Sequence, residues 1–294
     1  MNTFFLDRLN SEPHALAFAG QSTPWPVALA DQSANPALDE ALHTHAAAAQ
    51  ALLYPVSAEL LATTGRPVDL FGFEPNPARL GAAAAASASV PGIALTQLGA
   101  LLDAAALGYN PAQAKPVAVL GHSQGVLAVH MVQAICEAGS IDAAAAKIDE
   151  ILAIATLIGV AGTRQARQLG LAARHGEATP MLSVKDITRA QVDALIERVD
   201  GARGPIAVAV TNSATHYVLS GYPEDLAAFG VEVAKEHKRQ AKLREEKVRG
   251  GRVFDPTLEY LDVTLPFHSP LMADAVSQAV AWAEAVSYTH LTLP

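Results

Sequence analysis

Apolar and polar positions along the chain fall into two textures. Short apolar runs at residues 15–19 and 117–120 are closed by Gly20 and Gly121, as buried strands are bounded. Helix-forming sequence follows each. Over residues 124–137, Val126, Leu127, Val129, Val132 and Ile135 recur at helical spacing, and Gly139 closes the segment. A longer helical pattern at residues 144–169 contains no Ser, Cys or His, so it reads as scaffold or pocket wall. Strands that feed helices in this order predict an α/β fold, with an α/β-hydrolase-like core around a mainly parallel sheet.

Beyond about residue 178 the pattern changes. A strand at 181–184, a helix over 188–199, strands within 206–210 and 217–219, a helix from Pro223 and a strand at 260–265 make the order β-α-β-β-α-β. That order predicts an inserted ferredoxin-like small subdomain. The expected organisation is therefore a core of residues 1–177 and 266–285, a subdomain of 178–265, and a tail at 286–294 that reads as an artefact outside the fold. Within the subdomain, residues 235–249 carry seven of the twenty Lys and Arg. Such a run is either a solvated helix face or a contact for phosphates or an acidic carrier domain.

Composition narrows the function. Half of the 294 residues are hydrophobic (51%) and 17% are charged, which suits a packed globular enzyme and excludes disorder. A net charge of -9 argues against nucleic acid, whose binding needs a surplus of cations on one face. No apolar stretch reads as an export signal or membrane span, and the single Cys136 can form neither an internal disulfide nor a cysteine metal site. A cytoplasmic enzyme without a cofactor or metal is expected.

The sharpest local signal is Gly121-His122-Ser123-Gln124-Gly125, a G-x-S-x-G placed between a predicted strand and helix. Its glycines permit a tight turn that holds the Ser123 hydroxyl clear of the sheet, which makes Ser123 the candidate nucleophile. A serine hydroxyl needs a base to take its proton. His268, in Pro266-Phe267-His268-Ser269-Pro270, is the candidate, although placement alone leaves a structural histidine equally open. The tetrahedral intermediate also needs an oxyanion hole. The backbone N–H of Gln124 at the elbow and the turn at Gly20-Gln21 are the candidate donors.

Phe18-Ala19-Gly20-Gln21, the 121–125 elbow and the 266–270 segment, in that order, resemble the acyltransferase domains of fatty acid and polyketide synthases. Gly72-Phe73-Glu74-Pro75, Val90-Pro91-Gly92 and Val248-Arg249-Gly250-Gly251 add a likeness to the acetyltransferase domain of actinobacterial type I fatty acid synthases. The resemblance implies a ping-pong transfer. Ser123 would take acetyl from acetyl-CoA with His268 as base, then pass it to the phosphopantetheine thiol of an acyl carrier domain beside the other domains of the synthase. It implies substrate-binding roles for His122 and Asn212. It also implies a histidine oriented by a backbone carbonyl, so that Asp255 and Asp262 are not triad acids. The sequence ends 26 residues after His268, short of the closing strand that carries this carbonyl in the family.

Malonyl-specific relatives place an arginine where this chain has Ile158, in Thr156-Leu157-Ile158-Gly159. An unpaired carboxylate against isoleucine is costly, whereas an acetyl methyl is not. Arg164 and Arg167 lie six and nine residues further on, near the opposite helix face, and do not substitute. The resemblance therefore implies acetyl selectivity. A serine hydrolase or thioesterase, or a silent structural fragment, are the competing expectations.

Overall fold

The computed structural model describes residues 8–21, 24–70, 85–171, 178–246 and 254–286. The chain forms two compact units, Met1–Arg164 with Val276–Pro294, and Gln165–Ala275. These bounds differ from the expected 177/178 and 265/266. Gln165 groups with the second unit because its buried side-chain amide donates to the Leu271 carbonyl oxygen at 2.8 Å. The segment that carries His268 therefore belongs to that unit too.

In the first unit, β1 (Ala15–Phe18) and β2 (Ala118–Gly121) pair in parallel, from Ala15 opposite Ala118 to Phe18 opposite Gly121. The helices are α1 (Trp25–Ser33), α2 (Pro36–Leu52), α3 (Ser57–Thr64), α4 (Ala86–Ala106), α5 (Pro111–Ala114), α6 (Val126–Ala138) and α7 (Ala145–Gln168), which runs to the unit's boundary. Asn35 caps α2 by accepting the Ala37 N–H, with Pro36 at the first helical position, where its missing donor costs nothing.

Beyond the helix-forming sequence expected after Gly20, the pattern of apolar residues does not delimit α1 to α5. α4 explains why: it is buried nearly all round, so it has no polar stripe to set the period. Its most apolar 18-residue window has a mean hydropathy of 1.2 and is 72% buried, as in the core helix of a packed unit. Gly92 in α4 is required by contact, since a Cβ there would lie 2.5 Å from Trp25 Cζ3. Trp25 itself is buried.

In the second unit, β3 (Met181–Lys185), α8 (Arg189–Ile196), β4 (Ala207–Ser213), β5 (His216–Ser220), α9 (Pro223–Glu246) and β6 (Thr257–Tyr260) follow the β-α-β-β-α-β order. The sheet order is β4-β5-β3-β6 with every pair antiparallel, as the ferredoxin-like pattern requires. Alternation along the strands decides the faces. Leu182, Val184, Tyr217 and Leu219 pack beneath the helices with Leu226, Phe229 and Val233, whereas Met181 and Val218 pack on the other face with Val263 and Phe267. The chain closes through α10 (Ala273–Ala285).

The last strand lies earlier than the expected 260–265. The Leu261 N–H donates to the Met181 carbonyl oxygen at 3.0 Å, and the Val263 N–H then turns back onto the Leu261 carbonyl oxygen at 2.8 Å, which ends the ladder. Buried Val263 and Leu265 imitate a strand in sequence because they are core residues. On α9, Lys235 pairs with Glu232, and Arg239 and Arg198 pair with Glu236. Hydrogen bonds from Arg239 and Gln240 hold the Glu236 carboxyl down at about 2. Of the basic run, Lys235 and Arg239 are thus paired with carboxylates of the same helix.

Candidate active site

β2 ends at Gly121, and a 3-10 turn (Ser123–Gly125) leads into α6. Ser123 has φ 52°, the left-handed region that a non-glycine residue rarely occupies. Its neighbours dictate this. A Cβ on Gly121 would lie 2.5 Å from Val126 N, and one on Gly125 would collide with the Phe18 carbonyl oxygen. The His122 N–H donates to the Phe18 carbonyl oxygen at 2.9 Å, and the His122 carbonyl oxygen accepts from the Gly125 N–H at 2.9 Å. The contribution of His122 to the turn is through its backbone, and its side chain is exposed.

Gly20 follows β1 and packs directly on this turn. A Cβ there would lie 2.6 Å from the His122 carbonyl oxygen, 3.2 Å from Ser123 Cβ and 3.3 Å from Gln124 N. The absence of a side chain keeps open the space beside Ser123 and the Gln124 N–H, which lies at a helix N-terminus. The Gln21 side-chain amide donates to Gln124 Oε1, which ties the two candidate oxyanion residues together. α4 anchors both sides: Gln124 Nε2 donates to the Val90 carbonyl oxygen at 2.6 Å, and Gln97 Nε2 donates to the Ala19 carbonyl oxygen at 2.7 Å. Gln97 was not visible in sequence, since a helical glutamine with no motif gives no signal.

Ile158 lies on α7. Among residues 151–162 it alone is partly exposed, so it is the position at which this helix offers a side chain outward from the core. Gly159 beside it packs on the Ala86 carbonyl oxygen, and Thr163 donates to the Gly159 carbonyl oxygen at 2.9 Å and accepts the Ser87 N–H at 2.9 Å. Arg164 donates to Gln278.

In the second unit, His268 has φ 56° and an exposed side chain. The Ser269 hydroxyl donates to the Pro266 carbonyl oxygen at 2.7 Å, which closes the loop around Phe267 and His268. Phe267 packs on the sheet. Asp255 is exposed and pairs with His237 at 3.5 Å, and Asp262 is exposed. Asn212 lies at an irregularity of β4 and its Nδ2 donates to His216 Nε2 at 3.4 Å. His216 also meets the buried Ser183 Oγ at 3.1 Å, a contact that only the strand register discloses. Ser123, His122, Gln124, Gln21 and Ile158 are thus in the first unit, and His268 and Asn212 in the second. Gly72 to Pro75 and Val248 to Gly251 lie outside the described residues.

The fold is that of the acyl carrier protein transacylases. MCAT from Mycobacterium tuberculosis is similar with a TM-score of 0.56 and 20% identity, over 93% of this chain and 70% of that one. The malonyl CoA-acyl carrier protein transacylase from Coxiella burnetii is similar with a TM-score of 0.53 and 16% identity, over 93% of this chain and 68% of that one. Residues 180–260 match the family described as the fatty acid synthase central AT domain. Fatty acid synthase subunit beta of Schizosaccharomyces pombe is 26% identical over 230 residues, 71% of this chain. The chain spans 11% of the length of that relative.

Gly20→Ala is expected to leave the fold intact but displace the turn, because the added atom meets backbone rather than a flexible side-chain end. Labelling of Ser123 by a fluorophosphonate should slow by about 100-fold, the effect of an ångström-scale misplacement. An unchanged labelling rate with unchanged circular dichroism would refute the packing account.

Proposed function

We propose that the chain is the acetyl-loading acyltransferase domain of a type I fatty acid synthase, of the actinobacterial kind that its motifs resemble. One observation carries this reading: a serine in a left-handed turn between a parallel strand and a helix, with a glycine and a helix-terminal N–H beside it.

In the proposed cycle, Ser123 Oγ attacks the thioester carbonyl of acetyl-CoA while His268 takes its proton. The carbonyl oxygen becomes an oxyanion facing the Gln124 N–H and the backbone at Gln21. The carbon–sulfur bond then breaks, coenzyme A leaves as the thiol with the proton from His268, and an acetyl ester remains on Ser123. The phosphopantetheine thiol of an acyl carrier domain attacks this ester by the reverse sequence, and Ser123 recovers its proton. CoA is a substrate here, and no cofactor enters. Asn212 and His122 contribute to substrate binding, and the enzyme works in the cytoplasm beside the other domains of its synthase.

Acetyl rather than malonyl is favoured by Ile158. Although the Coxiella transacylase is named for malonyl CoA, a malonyl carboxylate beside the half-buried Ile158 would meet no cation from that position.

Transfer of acetyl from acetyl-CoA to a phosphopantetheinylated carrier tests the reading. Wild type should transfer, and His268→Ala should lower kcat by roughly 100- to 10,000-fold, the range of general base catalysis. Release of free acetate at the same rate with and without carrier would instead identify a hydrolase. In a competition between the two CoA thioesters, wild type should load acetyl in large excess. Ile158→Arg should load malonyl at least tenfold faster than wild type does, through the new guanidinium–carboxylate pair. Equal loading of both thioesters by wild type would overturn the selectivity.

A further inference from the structure

The peptide unit that leads into Gly20 is held by a side chain to which the proposed chemistry gives no task. Gly20 must lack a Cβ, because one would lie 2.6 Å from the His122 carbonyl oxygen, so side-chain contact does not restrict its φ and ψ. Hydrogen bonds must then set the direction of the peptide groups on either side. Toward Gln124, the Gln21 side chain restrains the loop through its bond to Gln124 Oε1. Toward β1, Gln97 Nε2 donates to the Ala19 carbonyl oxygen at 2.7 Å, and this oxygen also lies 3.1 Å from where a Cβ of Gly125 would stand. The Ala19 oxygen is thus seated between α4 and the elbow.

This bond orients the Gln97 amide. Turned over, the amide would set Oε1 against the Ala19 oxygen, two acceptors with no proton between them. In the orientation observed, Oε1 is buried and has no hydrogen-bond partner among the described residues. A buried carbonyl oxygen without a donor lowers stability, and an apolar side chain of the same length would not incur that loss. The net contribution of Gln97 to stability is therefore small, while its contribution to the direction of one peptide group is not. Val90 and Gln97 lie seven residues apart, two turns of α4, and so on one face of that helix. The Val90 carbonyl oxygen receives Gln124 and the Gln97 amide reaches Ala19, so both borders of the space beside Ser123 are referred to one element.

We infer that Gln97 is a positioning residue for the proposed oxyanion hole: by fixing the Ala19–Gly20 peptide unit, it fixes the aim of the Gln21 N–H that follows. This rests on the acyltransferase reading for its chemistry and extends it to a helix residue outside every motif. Gln97 touches no reacting atom. Without its bond, rotation at Gly20 lets the Gln21 N–H swing away from the oxyanion, whereas the Gln124 N–H, held at the start of a helix, keeps its place. One of two donors is then misaimed, so the transition state loses stabilisation and the ground-state binding of the thioester does not.

Two measurements on the full chain test this with Gln97→Met, which keeps the length and loses the donor, and Gln97→Lys, which restores a donor at the exposed end of the side chain. In the first, the backbone amide ¹H–¹⁵N signals of Gly20 and Gln21 should shift and broaden in Gln97→Met and return toward their wild-type positions in Gln97→Lys. Unchanged signals in Gln97→Met overturn the proposal whether or not the chain transfers acyl groups. The second measurement is kinetic. With acetyl-CoA and a phosphopantetheinylated carrier, Gln97→Met should lower kcat roughly tenfold, a part of the roughly hundredfold or more that an oxyanion donor supplies, with KM within about twofold. Gln97→Lys should recover most of the loss. The thermal midpoint of Gln97→Met should equal or exceed that of wild type, because the unpartnered oxygen is gone. A lowered midpoint with unchanged kcat would show a merely structural role, and a raised KM with unchanged kcat a binding role; either refutes the inference. Failure of wild type to transfer from any thioester would refute the acyltransferase reading, and the amide signals would still decide on Gln97.

Discussion

A serine at φ 52° is held there by backbone packed against backbone. Left-handed backbone costs a non-glycine residue of order 1–3 kcal/mol, so it persists only where the surroundings over-determine it. At Ser123 they do so from three directions. Gly121 admits the start of α6, Gly125 admits the end of β1, and Gly20 lies flat against the turn, each at a distance that excludes a Cβ. The parallel pairing of β1 with β2 brings residue 18 opposite residue 121 and so makes these contacts possible. Everything proposed for the chemistry follows from that pairing: the half-buried serine, the space that Gly20 leaves beside it, and an N–H group at the start of a helix.

The helices around the elbow have correspondingly specific tasks. α4 is the spine, and its residues supply the carbonyl oxygen of Val90 to Gln124 and the amide of Gln97 to Ala19. Both bonds fix the two loops that border Ser123. α7 is buried over residues 151–162 except at Ile158, which is why the proposed selectivity is assigned to that side chain. In the second unit, the Ser269 bond to Pro266 and the Gln165 bond to Leu271 bracket His268.

How legible each feature was depends on the range of the interactions that create it. The elbow was readable because its requirement is local: two glycines around a serine between an apolar run and a helical one. The ferredoxin-like order was readable because its strands alternate and its helix α8 opens on a capping box, Thr188 with Gln191. α4 was not, because it is buried nearly all round and so has no polar stripe to mark its period. The last strand lies earlier than its pattern suggests because Val263 and Leu265 are core residues outside the ladder. The contact of Ser183 with His216 spans 33 positions and depends on register, which no short pattern encodes.

The proposed chemistry requires that the hydroxyl at position 123 become acylated. Brief incubation with acetyl-CoA followed by peptide mapping measures this directly. An acetyl group is expected on Ser123 alone, absent from Ser123→Ala and removed by addition of a phosphopantetheine thiol. An acetyl group on another residue, or a folded wild-type protein that acquires none, would contradict it.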